Sequence, residues 1–430
     1  MTIDSVRRSV GGLATAALLL LAPRAPAQAK GIDLKPGAAT TVAPGLTYAK
    51  WEQQGLIAHV TEIALDRPEL RIRSIKSKGK ESLRELATRL DGGDEKVLCG
   101  INGDYFRQSS AAGLPFGGQV SDGRMIFAPM KRSLLSLSPS HEPTIGLAEL
   151  KAKFSFATAD MVSDSTWYKL EDVNVPIKED GKKSGIVLYT PEFLGLDVDR
   201  PKGTIAVIET IEPRLQVGDV CTGRVARVEA AGGAVDVPDG GCLLYFYGDS
   251  RRSSSSLKPG KPIALKLELP PVTGSVDQAI GGGPRLVRNG KVSVELDKED
   301  FEPVYAMEIS KRHPRSAVGF DKEKKRLWLV MVEGRHEGSR GMTFGELAAF
   351  LDKLGCWQAM AFDGGGSAGM YVGADALGFV SRSIGGGGHA EERELANALF
   401  VTTPKASAEG GASGSGASGG GAHPREAARQ

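Results

Sequence analysis

Gln358-Ala359-Met360-Ala361-Phe362-Asp363-Gly364-Gly365-Gly366-Ser367 is the stretch on which the reading of the fold turns. A short apolar run closed by small residues reads as a buried strand, and the change to Asp and Gly at 363 marks its end. Upstream, Thr343-Phe344-Gly345-Glu346 has the form of a helix capping box, and Leu347, Phe350, Leu351 and Leu354 fall on one helical face before Gly355. The order is helix, strand, turn. It occurs earlier as well: Ser82-Leu83-Arg84-Glu85 opens a helix to about Leu90, Lys96–Ile101 is the apolar run, and Asn102-Gly103-Asp104-Tyr105-Phe106 is the turn. Both turns are expected at strand ends on one side of the molecule, where ligand sites often lie.

Further out, short strand-like runs dominate, among them Leu56–Ile63, Thr204–Ile211, Cys242–Tyr247, Ile263–Leu269 and Arg326–Val332. Residues 131–275 show no marked helix and many Gly, Pro and Asp turn signals. The expected fold class is mixed α/β (α+β), with a central mixed sheet, few helices and a β-rich middle section. The expected division is a signal peptide over 1–29, a β-rich N-terminal part over 30–94, a main domain over 95–404 that includes the section 131–275, and a disordered Gly/Ser/Ala tail over 405–430.

The ends carry their own signals. Arg7 and Arg8 precede an uncharged stretch from Ser9 to Pro23, and Ala27-Gln28-Ala29 reads as a cleavage site. That stretch is shorter than the ~20 residues a bilayer span needs. The protein is therefore expected to be exported, periplasmic or extracellular, without stable membrane insertion. Fifty-four Lys plus Arg against 52 Asp plus Glu leave a charge of +2, so a basic footprint for nucleic acid is lacking. Four cysteines in 430 residues are not a disulfide scaffold. Cys221 and Cys242 flank a strand-rich stretch and are candidates to pair, while Cys99 and Cys356 read as buried thiols. The chain has no Cys-x-x-Cys and no His-Glu-x-x-His, which argues against structural zinc. Nothing in the sequence speaks to oligomeric state.

Four clusters can carry chemistry: Asn102–Phe106, Gly281-Gly282-Gly283-Pro284-Arg285, His313–Gly319 and Asp363–Met370. Consecutive glycines remove side chains and suit a backbone that approaches a ligand closely, offering N–H groups to an oxyanion. The plain alternative is a tight turn. Neither block continues into Gly-Lys-Ser/Thr or fits a dinucleotide-binding Gly-x-Gly-x-x-Gly. Gly365-Gly366-Ser367-Ala368-Gly369 does match Gly-x-Ser-x-Gly, so a serine hydrolase using Ser367 is a second reading. A secreted carbohydrate-binding protein without catalysis is a third.

Taken in order, Asn102–Phe106, Gly281–Leu286, Arg315–Gly319 with Glu333-Gly334-Arg335, Ser339–Thr343, Asp363–Ser367, and Arg393 with Asn397-Ala398-Leu399 resemble the phosphodiester glycosidase family. Glu333 stands where family members commonly carry Asp. The resemblance implies hydrolysis of a phosphodiester-linked sugar between the anomeric carbon and the phosphate oxygen, with no cofactor required. Glycoside cleavage generally uses two carboxylates around an oxocarbenium-like transition state. Asp363 leads, and Asp104 and Glu333 compete for the second role. Arg315 is the candidate for the departing phosphate, because a guanidinium fork matches its oxygens. Asn102, Gly282, Gly283, Arg285, Gly364, Gly365, Gly366 and Ser367 are candidate substrate contacts, Asn102 alternatively stabilising its own turn. A divalent cation, calcium, at Asp363 is a further reading of a carboxylate-bearing turn.

Overall fold

The computed structural model describes residues 32–106, 113–156, 166–175, 184–193, 203–212, 214–230, 236–373, 378–381 and 392–405. The signal-peptide segment and the tail beyond Lys405 lie outside the described residues. So do Asp375 and His389, which a serine triad would have drawn on.

Four sheets and three α-helices are formed by the described residues, and the whole is more strand-rich than a mixed α/β reading suggests. The sheets pair almost entirely antiparallel. Among the described residues, one pair of strands is parallel, Asp172–Val173 with Gly185–Tyr189. The α+β class with few helices and a β-rich middle holds coarsely, while the expected central mixed sheet is divided among four sheets paired mainly antiparallel. Alternation of apolar residues marks a strand but leaves its partner open, and antiparallel pairing is the commoner outcome.

Two sheets place the site. In the largest, Leu56–Ala64, Arg326–Val332, Arg315–Phe320, Gln358–Ala361 and Arg285–Arg288 follow one another in space. The helix Phe344–Lys353 packs its apolar side on this sheet with Leu347, Phe350 and Leu351 buried. The second sheet runs Gly378–Phe379, Met370–Val372, Glu95–Asn102, Leu395–Pro404 and Arg71–Glu81. Helix α1, Leu83–Asp91, lies against it through Leu83, Leu86 and Ala87. Both helices start as their sequences dictate: Ser82 with Glu85, and Thr343 with Glu346, form complete capping boxes. A buried apolar cluster between the two sheets includes Leu98, Ile101, Val318, Leu329, Met360 and Phe362.

The middle of the chain forms an eight-stranded sheet from Lys151–Ser155 through Pro262–Glu268 to Cys242–Tyr247 and beyond. Cys221 and Cys242 are buried there as free thiols, so the pairing entertained for them is absent; Cys99 and Cys356 are likewise buried and free. No helix among the described residues is long and apolar enough to cross a membrane.

Candidate active site

The two turns meet directly. Asn102 ends the strand Glu95–Asn102 and is fully buried. Its Nδ2 donates to the Asp363 carbonyl at 2.8 Å, and the Asp363 N–H donates to the Gly103 carbonyl at 2.9 Å. Asn102 Oδ1 accepts from Ser316 Oγ at 2.6 Å and from the Gly369 N–H at 3.1 Å. With its amide committed on both ends, Asn102 is a clip between the turns and has nothing left for a sugar hydroxyl.

A cavity of about 1110 Å³ opens over this junction. One wall is aromatic: Tyr105 meets Phe301 edge-on at 5.6 Å and Tyr305 at 6.0 Å between ring centroids. Asp363 and Gly364–Gly366 line it, together with the guanidinium groups of Arg132, Arg315, Arg335 and Arg393. Asp363 is surrounded by protein yet keeps some exposure toward the cavity. Its Oδ1 accepts the Gly364 N–H at 2.8 Å. Burial pushes its carboxyl up to about 6, against the Ser367 hydroxyl, Arg393, the Gly364 N–H and Arg132. Ser367 favours the ionised carboxylate by proximity, but its Oγ is buried and reaches hydrogen-bond geometry with no partner.

Asp104 lies behind the cavity wall, 3% exposed. Its Oδ2 accepts the Gly117 N–H at 2.5 Å, and its Oδ1 has no partner. A Cβ on Gly117 or on Gly281 would fall 2.6 Å from Oδ2, so two chain segments close on this carboxylate because both are glycine there. Burial raises the Asp104 carboxyl to about 7 against Arg132 and the Gly117 and Tyr105 N–H groups, and the charge of Asp363 pushes it further. Two carboxyls within electrostatic reach, with different proton affinities, suit a division between base or nucleophile and acid.

The other candidates fall in different places. Gly282 and Gly283 spend their N–H groups on the carbonyls of Ser133 at 3.0 Å and Ala361 at 2.8 Å, so this block is a packing element and not an anion cradle. Arg285 is buried outside the cavity lining and pairs with Gln358. Glu333 is held between two imidazoles, His59 at 2.7 Å and His336 at 3.0 Å, beside a separate cavity of about 740 Å³. It therefore does not join Asp104 and Asp363, and Asp104 is the carboxylate that accompanies Asp363. The end of a strand does not reveal from sequence which side its carboxylate takes.

Arg315 is 2% exposed and stacks 4.0 Å from the Phe344 ring centroid. Nε donates to the Met342 carbonyl at 2.8 Å, and Nη2 to the carbonyls of Ile309, at 2.6 Å, and Lys311. Nη1 is turned toward Gly364, 3.7 Å from where a Cβ would stand. The glycines of the second block make room for cations: a Cβ would lie 3.0 Å from Arg335 Nη2 at Gly365 and 2.8 Å from Arg393 Nη2 at Gly366. Arg335 sits at φ 64° and its Nη2 meets His313 Nδ1 at 3.0 Å. Arg335 and Arg393 belong to the motifs quoted above but their place in the cavity was not foreseen, and Arg132 carried no motif signal. Among the described residues no group of three or more His, Cys, Asp or Glu is arranged for a metal. The charges around Asp363 are guanidinium groups, which disfavour a cation there. Ser367 is followed by the strand Met370–Val372, where a nucleophile elbow needs a helix.

The fold is β-rich, and its cavity brings Asp363, with Asp104 buried behind it, together with clustered arginines. Residues 220–402 match the family model for phosphodiester glycosidases, and the resemblance drawn from the motifs stands. Human N-acetylglucosamine-1-phosphodiester alpha-N-acetylglucosaminidase is 28% identical over 194 residues, which cover 39% of this chain and 37% of that protein. The mouse enzyme of the same name is 29% identical over 175 residues, covering 36% and 33%. The matched part thus spans about a third of the length of these curated relatives. A hypothetical protein from Synechocystis of known structure is similar in fold, with a TM-score of 0.63 over 87% of this chain and 64% of that one at 19% identity.

Proposed function

We propose that this protein is an exported hydrolase, periplasmic or extracellular, that cleaves a sugar-1-phosphodiester at the anomeric carbon. The observation that carries the reading is the placement of Asp363, with Asp104 behind it, opposite Arg315, Arg335 and Arg393 in one aromatic-walled cavity. Water supplies a hydroxyl to the anomeric carbon and a proton to the products, the bond from that carbon to the phosphate oxygen breaks, and a free sugar and a phosphomonoester leave. Asp363, ionised at neutral pH, acts on the anomeric carbon, and Asp104 holds the proton. A phosphomonoester is a good leaving group, so stabilising its charge matters more than protonating it, and preorganised guanidinium groups do this without reorganisation. The aromatic wall offers the sugar ring an apolar face.

The test is turnover of a synthetic sugar-1-phosphodiester beside a carboxylic ester and an aryl glycoside. Asp363→Asn is expected to lower kcat on both glycosides by roughly 10²-fold or more. Arg315→Ala should harm the phosphodiester far more than the aryl glycoside. Ester turnover lost in Ser367→Ala would instead favour the serine hydrolase.

A further inference from the structure

Glu333 lies outside the cavity of Asp363, yet it stands two residues before Arg335, a guanidinium group that lines it. The carboxylate is 6% exposed, and each of its oxygens takes an imidazole: Oε1 meets His59 Nε2 at 2.7 Å and Oε2 meets His336 Nε2 at 3.0 Å. The Gly338 N–H donates to His336 Nδ1 at 3.2 Å, so the proton of that ring sits on Nε2 and is given to Glu333. His59 is buried and is held on its other nitrogen by the Tyr48 hydroxyl at 2.9 Å. The backbone of Glu333 is fixed as well. Its N–H donates to the Ile57 carbonyl at 3.0 Å, and its carbonyl accepts from Ser339 Oγ at 2.6 Å. That hydroxyl in turn accepts the Ile57 N–H at 3.2 Å.

Arg335 sits between these two anchored side chains. Its φ of 64° lies in the left-handed region, and a side-chain-bearing residue persists there only where its surroundings over-determine it. Gly334 before it is wedged: a Cβ there would stand 2.9 Å from Pro314 N and 3.0 Å from Gly341 Cα. The Arg335 side chain itself is exposed, and a long exposed arginine loses rotamer freedom on being aimed. It is aimed all the same. Nη2 meets His313 Nδ1 at 3.0 Å beside the Gly365 backbone, and the charge of Asp363 raises the basicity of the group against burial and Arg393. Stability does not account for the carboxylate and two imidazoles that flank it, since apolar residues in such a buried place often serve as well or better.

We infer that Glu333 is a positioning residue: clamped by His59 and His336, it holds the left-handed turn that aims Arg335 at the phosphate of the substrate. This rests on the phosphodiester reading of the cavity. Glu333 touches no reacting group, and its effect on turnover runs through Arg335. A guanidinium fork is useful to a phosphate only when its plane is fixed, and here the fixing is done from behind the cavity wall.

The experiment is a double-mutant cycle of Glu333→Gln and Arg335→Ala, read as kcat/KM on a sugar-1-phosphodiester and on an aryl glycoside of the same sugar. Glu333→Gln keeps the shape of the side chain but sets an amide N–H against an imidazole N–H. It is expected to lower the value for the diester by roughly tenfold or more, because a small misplacement of a positioned group is costly, and that for the aryl glycoside far less. In the Arg335→Ala background the same change should cost the diester little further, since a residue that acts through another then has nothing to act through. Glu333→Asp, with its carboxylate one methylene shorter, should retain part of the diester activity. Equal losses on both substrates, losses that add in the double variant, or full diester activity in Glu333→Gln overturn the inference. Should Glu333→Gln fail to fold, as near-ultraviolet circular dichroism will show, His336→Gln goes through the same cycle with the same outcomes. If the wild type cleaves no diester, the phosphodiester reading fails on its own, and calorimetric titration with inorganic phosphate decides this one. Weaker binding in Glu333→Gln, with no further weakening when it is added to Arg335→Ala, supports it. Phosphate bound equally by the wild type and Glu333→Gln, or not bound by the wild type, overturns it.

Discussion

Asp104 and Asp363 owe their proton affinities to opposite balances of the same forces. Burial lifts both carboxyls, to about 7 and about 6. Asp363 gains from the Ser367 hydroxyl and from two arginines, Arg393 and Arg132, where Asp104 has Arg132 alone, so between these values the pair keeps one proton, held mainly by Asp104. We therefore expect kcat/KM to fall below pH 6 as Asp363 takes up its proton. The alkaline change should disappear in Asp104→Asn while the acid limb stays, as pH–rate profiles will read. Stability follows from the same values. The usual carboxyl value of 3.8 is that of the unfolded chain. The folded state thus retains protons that the unfolded state releases, and stability drops as pH rises from about 4 through 7. Asp104→Asn removes that penalty. Its Tm should exceed the wild type's at pH 8 by at least about 2 °C and show no gain at pH 4, and an equal shift at both pH values would refute the account.

At the scale of elements, the clip between strand ends is the decisive contact. Asn102→Ala leaves buried acceptors and donors of Asp363, Ser316 and Gly369 without partners. A loss of roughly 2–4 kcal/mol is expected from the unmade bonds, measured by chemical denaturation, with kcat falling alongside as Asp363 loosens. The same contact shows what could be read in advance. The capping boxes at Ser82 and Thr343 were legible because their bonds span three residues. The two turns were legible as strand ends because Gly and Asp close apolar runs. That they touch followed only from placing both on one side of the fold. Glu333 and Arg285 were legible as residue types in motifs, but their direction depends on sheet pairings set by distant strands. Arg132 was invisible: Met130-Lys131-Arg132 has no periodicity, and its meaning comes from rings at 105, 116 and 301 that only the folded chain gathers.

Over the whole molecule, the site draws on residues from 102 to 397. Asn397 Oδ1 accepts the Asp104 N–H at 2.8 Å, and its Nδ2 donates to Gln119 at 3.1 Å. The strand that bears it, Leu395–Pro404, lies between Glu95–Asn102 and Arg71–Glu81, which both precede it by nearly the whole described chain. A chain ending at residue 394 is expected to lack cooperative unfolding and all turnover, as near-ultraviolet circular dichroism and the diester assay will show. Pairings of such sequence separation are slow to form.

The inserted strand also sets a timetable. On the ribosome, Arg71–Glu81 and Glu95–Asn102 emerge early and must wait as unpaired neighbours until some three hundred further residues have been made. The pocket cannot close before that strand arrives, so Asp104 gains the support of Asn397 only after residue 397 has been made. Any chain cut short of that point lacks both the strand that joins its two neighbours and the side chain that holds Asp104.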